Sequence, residues 1–308
     1  MCTAMKIDGL FGRTLDLEHG YGEAVVLTPR DFLFAWRHLP PTREHYAILG
    51  MATVVDGFPL YYDAVNECGL GMAGLNFPHS GWYGAPKEGD VASFELIPYL
   101  LGRCATVAQA KEVLMHLWVC DTAFSAAYPP TKLHWMVADE QESIVVESTT
   151  EGLAVYDNPL GVMTNEPPFP RQLHNWANCA SLTAQEPSVT PPHLGRGSGS
   201  EGLAGGFSSP ARFQRGAFVA ANSEGGEDAV GQFFHAMGAV EVPRGCVRLL
   251  DGGRVTSRYT CCMDLGEKVY YYRTYGCHRI HAVRLTAEGD GRLVTYPLPQ
   301  SEDVKWEN

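Results

Sequence analysis

No apolar run in this 308-residue sequence is long enough to cross a bilayer. Stretches such as LMHLWVC at 114–120 fall far short of the ~20 residues a spanning helix needs. Positive charge is also scarce: 23 Lys and Arg stand against 35 Asp and Glu, a formal net charge of −12. Such a surface has no evident attraction for nucleic acid or an anionic membrane, so neither partner is expected. The first residues lack an apolar signal core, because Lys6, Asp8, Arg13, Asp16 and Glu18 interrupt it. No signal peptide and a cytoplasmic protein are the expectations.

Several motifs are missing. There is no CxxC, no HExxH, no GK[ST] and no G-x-S-x-G. These absences argue against a zinc or redox centre, a phosphate loop and a serine elbow. GRGSGSEG at 195–202 has no apolar strand before it and is not read as a nucleotide loop. The histidines are scattered, and His134, His278 and His281 are read as structural or surface groups. No metal and no cofactor are expected. Nine cysteines, an odd number in a chain this large, suggest free thiols in a reducing compartment rather than a disulfide framework.

What remains is a globular composition, with 45% hydrophobic and 19% charged residues. AVVL at 24–27 and FLFAW at 32–36 read as short buried strands. TVAQAKEVLMHL at 106–117 has apolar residues at helical spacing. KLHWMVAD at 132–139 and SIVVEST at 143–149 read as a hairpin around EQE. A Pro-, Gly- and Ser-rich run covers 184–208 and reads as a linker or a long ordered excursion. After it, Ser209 as N-cap and Pro210 at the first helical position open a helix. A second helix is predicted at 227–237, then strands at 267–275 and 279–285. Antiparallel hairpins separated by helical blocks indicate an α+β layer structure.

Cys2 follows Met1 directly, and GRTLD follows at 12–16. Removal of Met1 would leave a residue carrying both a thiol and a free amine. An unperturbed thiol ionises near roughly 8.5 and an α-amine near roughly 8. The amine can therefore take the thiol proton as sulfur attacks an amide, and return a proton to the departing nitrogen. Strands at 2–7 and 10–15 around a turn at Asp8-Gly9 bring Arg13 and Asp16 back beside Cys2. Arg13 would favour the thiolate, and Asp16 would hold the amine. The alternative is that Arg13 and Asp16 form a surface ion pair.

MCT, GRTLD, AGLNFP (73–78), TKLHW (131–135), MTNEPPF (163–169), LGRGSGSEGLAGGFSSPARF (194–213) and YYYRTY (270–275) occur in that order. Together they resemble the choloylglycine hydrolase family, the bile salt hydrolase and penicillin V acylase group of N-terminal nucleophile hydrolases. The resemblance implies a four-layer αββα sandwich over a single domain at 1–308. It implies Cys2 as nucleophile, with Arg13 and Asp16 beside it. Asn165 resembles the side-chain donor of an oxyanion hole, Asn76 its companion through backbone N–H, and Arg212 the arginine completing the cluster. The family's use of the region matching 184–208 implies a homotetramer-assembly loop. Thr14, where many relatives read Asn, and GLAGGFSS, where GLPGD is commoner, are departures. Asn76 in LNFP resembles bile salt hydrolases, since penicillin V acylases tend to carry Tyr there. The activity implied is hydrolysis of glycine- or taurine-conjugated bile salts. Penicillin V acylase or N-acyl homoserine lactone acylase chemistry is the alternative. Leu17, Tyr21, Tyr61, Tyr62 and Leu133 are the expected pocket walls.

Overall fold

The computed structural model describes residues 1–188 and 195–307. An N-terminal hairpin, β1 (Cys2–Ile7) and β2 (Leu10–Leu17), is followed by a meander of β3 (Ala24–Thr28), β4 (Ile48–Val55), β5 (Phe58–Asn66) and β6 (Gly71–Asn76). A short parallel pair, β7 (Val91–Ala92) and β8 (Val119–Cys120), brackets α1 (Leu96–Leu101) and α2 (Val107–Leu114). Then come β9 (Leu133–Ala138), β10 (Ser143–Thr149), β11 (Gly152–Asp157), β12 (Val162–Met163) and α3 (Phe169–Ala177). The C-terminal part holds α4 (Ser209–Asn222), α5 (Ala229–Gly238), β13 (Val247–Arg248), β14 (Arg254–Asp264), β15 (Val269–Thr274), β16 (Cys277–Arg284) and β17 (Val294–Pro297).

Two large antiparallel sheets result. One runs β12-β1-β2-β14-β15-β16, with β13 on β14; the other runs β11-β10-β9-β6-β5-β4-β3-β17. Helices α4 and α5 pack on the first sheet, against β1, β2 and β14. Helices α1 and α2 pack on the second, against β5, β6 and β11. The sheets face each other through β1, β2 and β6. The order of layers is therefore αββα, as the resemblance implied. One apolar core fills the space between the sheets and under α3 to α5, and a second lies under α1 and α2.

Alternation along β2 sets the polarity of the site. Phe11 points across to the second sheet, where Gly71 makes room: a Cβ there would lie 2.7 Å from the Phe11 ring. Gly12 faces the other way, and a Cβ on it would sit 2.0 Å from the Cys261 carbonyl oxygen and 2.9 Å from Phe233 of α5. The glycine of GRTLD is thus where β14 and a helix close on β2.

The hairpins at 2–17 and 133–149 and the helix at 107–114 form where the sequence patterns put them, and Thr106 caps that helix by accepting from the Gln109 N–H. Three boundaries differ. Residues 32–36 make no strand, only a bridge between Phe34 and Thr42. Their apolar side chains serve instead a ring cluster, with Phe34 and Trp36 stacked at 4.8 Å. The cap of α4 is Ser208, not Ser209, so Pro210 is the second helical residue. Helix α5 starts at Ala229, where the Asp228 carboxylate accepts from the Gly231 N–H. Helices α1 and α3 are absent from the pattern reading, and α3 begins after Pro168. Residues 189–194 of the 184–208 run, and Leu194 of the LGRGSG motif, lie outside the described residues.

Candidate active site

Cys2 opens β1 and is 1% exposed. Register pairs it with Leu15 and pairs Ala4 with Arg13. Alternation sends Arg13 and Leu15 into the space between the sheets, while Thr14 and Asp16 face the helical side. The surface ion pair left open by the sequence does not form. Arg13 and Asp16 are buried and flank Cys2 from opposite faces of β2.

On the inter-sheet side, the Arg13 guanidinium is held by backbone carbonyls. Nε donates to Thr14 O at 3.1 Å, and Nη1 donates to Gly74 O at 2.8 Å and Tyr62 O at 3.2 Å. Nη2 makes no hydrogen bond within the protein. Burial works against this cation, yet the acidic groups around it, Cys2, Tyr259 and Asp63, outweigh it and raise its affinity for the proton.

On the helical side, the Asp16 carboxylate accepts from Ser257 Oγ at 2.6 Å and from Thr14 Oγ1 at 3.1 Å. Burial pushes its proton affinity up, against the Arg212 charge and those two hydroxyls. The backbone of Asp16 is paired with Met1: the Met1 amine donates to Asp16 O at 2.8 Å, and the Asp16 N–H donates to Met1 O at 3.0 Å.

Arg212 comes from the first turns of α4 and reaches β1. Its Nη1 donates to Cys2 O and Thr3 Oγ1, each at 2.6 Å, and Nη2 donates to Asn165 Oδ1 at 2.9 Å. Burial lowers its proton affinity, partly offset by Asp16 and Cys2. Asn165 also accepts from the Cys2 N–H at 2.8 Å and donates through Nδ2 to Asn76 O at 2.8 Å. One amide side chain thus joins β1, β6 and α4. His134, read as structural, supports the neighbouring residue: its Nε2 bonds Thr164 O at 2.6 Å, and Phe77 stacks on its ring at 4.2 Å.

Cys2, Arg13 and Asn76 line a cavity of about 330 Å³. The five expected wall residues, Leu17, Tyr21, Tyr61, Tyr62 and Leu133, all line it too. Phe94, Phe124 and Tyr128 complete an aromatic wall that sequence reasoning missed. Arg37 braces that wall by stacking on Phe94 and Phe124 and donating to Phe124 O at 2.8 Å. Ser257 on β14 was also missed, since a strand serine carries no signal of its partner. Among the described residues, no three His, Cys, Asp or Glu side chains converge as a metal site requires. Nor, among them, is any helix long and apolar enough to cross a membrane.

Known proteins share this arrangement of chain. The chain is 42% identical over 317 aligned positions to a bile salt hydrolase/transferase of Lactiplantibacillus plantarum, covering 97% of each. It is 35% identical over 331 positions to a bile salt hydrolase/transferase of Clostridium perfringens, covering both in full. A solved conjugated bile acid hydrolase from Clostridium perfringens superimposes with a TM-score of 0.92 at 32% identity over all of both chains. A penicillin V acylase from Agrobacterium tumefaciens has a TM-score of 0.73 at 20% identity, covering 92% of this chain and 86% of its own, and shares the fold. The family model for linear amide C–N hydrolases of the choloylglycine hydrolase family matches residues 2–290. With the matched region running from Cys2 through β16, the chain belongs to the choloylglycine hydrolase family.

Proposed function

We propose that the protein hydrolyses the amide bond of glycine- or taurine-conjugated bile salts, using Cys2 as nucleophile after Met1 is removed. The observation that carries this is the placement of Cys2. Its side chain opens on a largely aromatic and aliphatic cavity, and its nitrogen and carbonyl are gripped by Asn165 and Arg212. A cavity of about 330 Å³ lies in the range of small-molecule sites. The curated relatives named above supply the substrate class, and the apolar wall supports a steroid acyl group.

The mechanism follows from the donors and charges. Hydrolysis of the Met1–Cys2 peptide bond turns the Cys2 amide nitrogen into an amine, already directed at Asn165 Oδ1. That amine takes the thiol proton as sulfur attacks the amide carbonyl. Negative charge develops on the carbonyl oxygen, and the Asn165 side chain and the Asn76 N–H are the donors we assign to it. The amine then gives its proton to the departing nitrogen, which leaves as glycine or taurine. Water attacks the resulting thioester and releases free bile acid. Arg13 and Arg212 bring positive charge near the sulfur, while Asp16 offsets part of the Arg212 charge from the opposite face of β2.

We infer further that residues 1–308 act as one catalytic unit, that the protein is cytoplasmic and that it assembles as a homotetramer through 184–208. The tetramer rests on the resemblance of that run to the family's assembly region, since its Gly- and Pro-rich composition alone fits a linker as well. The test is a parallel assay of glycocholate, taurocholate and penicillin V, with Cys2→Ala as control and intact mass reporting Met1 loss. Cys2-dependent release of glycine or taurine, faster than penicillin V cleavage, is expected. Preference for penicillin V would keep the mechanism and overturn the substrate.

A further inference from the structure

Behind Arg13 lies a buried acidic centre that the mechanism does not use. Asp63, on β5, is 0% exposed. It accepts hydrogen bonds from the hydroxyls of Tyr259 on β14 and Tyr270 on β15, and from the Cys261 thiol at 3.4 Å. Its Oδ2 lies 3.9 Å from Arg13 Nε. That separation is too long for a hydrogen bond, so the contact is one of charge. The Arg13 nitrogens that do bond go to three backbone carbonyls, which fix the guanidinium without help from Asp63.

Geometry and charge are therefore separable here. The carbonyls decide where Arg13 points, and Asp63 decides how much of its charge is left over. We propose that Asp63 is a positioning residue acting through Arg13: its carboxylate, held by Tyr259 and Tyr270, damps the positive field presented to the Cys2 sulfur. Three donors aimed at Asp63 favour its ionised, accepting form, as does the nearby cation. Burial pulls the other way and raises its proton affinity. The titratable and charged groups facing Asp63 are Arg13 from β2, Tyr259 and Cys261 from β14, and Tyr270 from β15. Those facing Cys2 are Arg13 and Arg212, with Asp16 behind, itself facing Arg212 and the terminal amine.

The chemical reason for damping is the trade between ionisation and reactivity. A strongly stabilised thiolate forms easily but attacks slowly, because nucleophilicity falls with basicity. Arg13 next to sulfur without a counter-charge would push Cys2 towards that inert limit. Arg13 keeps the thiol ionisable, and Asp63 keeps the thiolate basic enough to attack.

The inference rests on Cys2 being the nucleophile, so it is tested without any substrate. The purified full-length protein is alkylated with iodoacetamide across a pH series, and the N-terminal peptide is quantified by mass spectrometry. In Asp63→Asn the midpoint for Cys2 should move down by about one pH unit, as expected for losing a charge a few ångströms behind Arg13. On the alkaline plateau the variant should react about threefold more slowly, because its thiolate is less basic. The two profiles therefore cross. Asp63→Glu keeps the charge and extends it towards Arg13, so its midpoint should move up; it also serves if the Asn variant does not fold. A midpoint that is unchanged in a folded variant, or that moves in the opposite direction, overturns the proposal. Failure here leaves the hydrolase reading intact, and loss of bile salt cleavage in the parent would leave this test standing.

Discussion

Arg212→Lys separates charge from geometry at the centre of the site. The parent guanidinium makes three short contacts to β1 and its support: Cys2 O, Thr3 Oγ1 and Asn165 Oδ1. A lysine retains the positive charge but offers a single nitrogen on a different stem. It can replace one of these contacts with good geometry and forfeits two. Hydrogen bonds to a charged group contribute about 1.5–3 kcal/mol each, so the variant should lose about 3 kcal/mol or more of local stabilisation. The affected group is Asn165, whose oxygen would then be held by the Cys2 nitrogen alone. If its donor serves the oxyanion, misplacing it removes about 2.7–4 kcal/mol of transition-state stabilisation, or about 10²–10³ in kcat. The assay is glycine release from glycocholate at saturating substrate, with circular dichroism confirming the fold and intact mass confirming loss of Met1. A folded, processed Arg212→Lys enzyme within about threefold of the parent would refute the reasoning, since charge alone would then suffice.

Two further perturbations read the scaffold. Gly12→Ala puts a methyl against the Cys261 carbonyl, which is backbone and cannot turn aside, so a loss of about 2–3 kcal/mol in denaturant unfolding is expected. Gly205→Ala, with nothing within 4 Å of the added carbon, should be neutral or slightly stabilising; equal effects at both sites would argue against the β2–β14 contact. Burial pushes the Cys104 thiol up to about 11, so at pH 8 only about one molecule in a thousand carries it as thiolate. Native protein treated with Ellman's reagent at pH 8 should be modified at exposed Cys246 and spared at Cys104, and all nine thiols should react once unfolded. The sign for stability follows: the unfolded thiol ionises first, so this contribution is full below about pH 9 and disappears as pH rises through about 11. Modification of Cys104 in the native protein as fast as that of Cys246 would contradict its burial.

The local parts of the site were legible because they are local. A two-strand arithmetic around Asp8-Gly9 returns Arg13 and Asp16 to Cys2, and the register agrees, with Cys2 opposite Leu15. Strand alternation also settles that residues 13 and 16, three apart, must leave β2 on opposite faces, a consequence the pairing idea had overlooked. The apolar run at 32–36 misled because burial and ladder pairing both demand large apolar residues. Here the demand was a ring cluster around Phe34. Helix α3, nine residues after Pro168 with only Phe169 and Gln172 fully buried, escaped notice.

Motif resemblance pointed to Asn76, Asn165 and Arg212, but no spacing rule could have brought them together. Arg212 reaches Cys2 across 210 positions of sequence, and Asn165 reaches it across 163. By itself the sequence determined the thiol and potential amine at Cys2, the hairpin beneath them, the antiparallel strands and the acidic surface. Only the tertiary structure decided which carbonyls hold Arg13, which hydroxyls hold Asp16 and Asp63, and which rings wall the cavity. The physical reason is that a hydrogen bond between β1 and α4, or between β5 and β14, exists only once two sheets have stacked and two helices have closed over one of them.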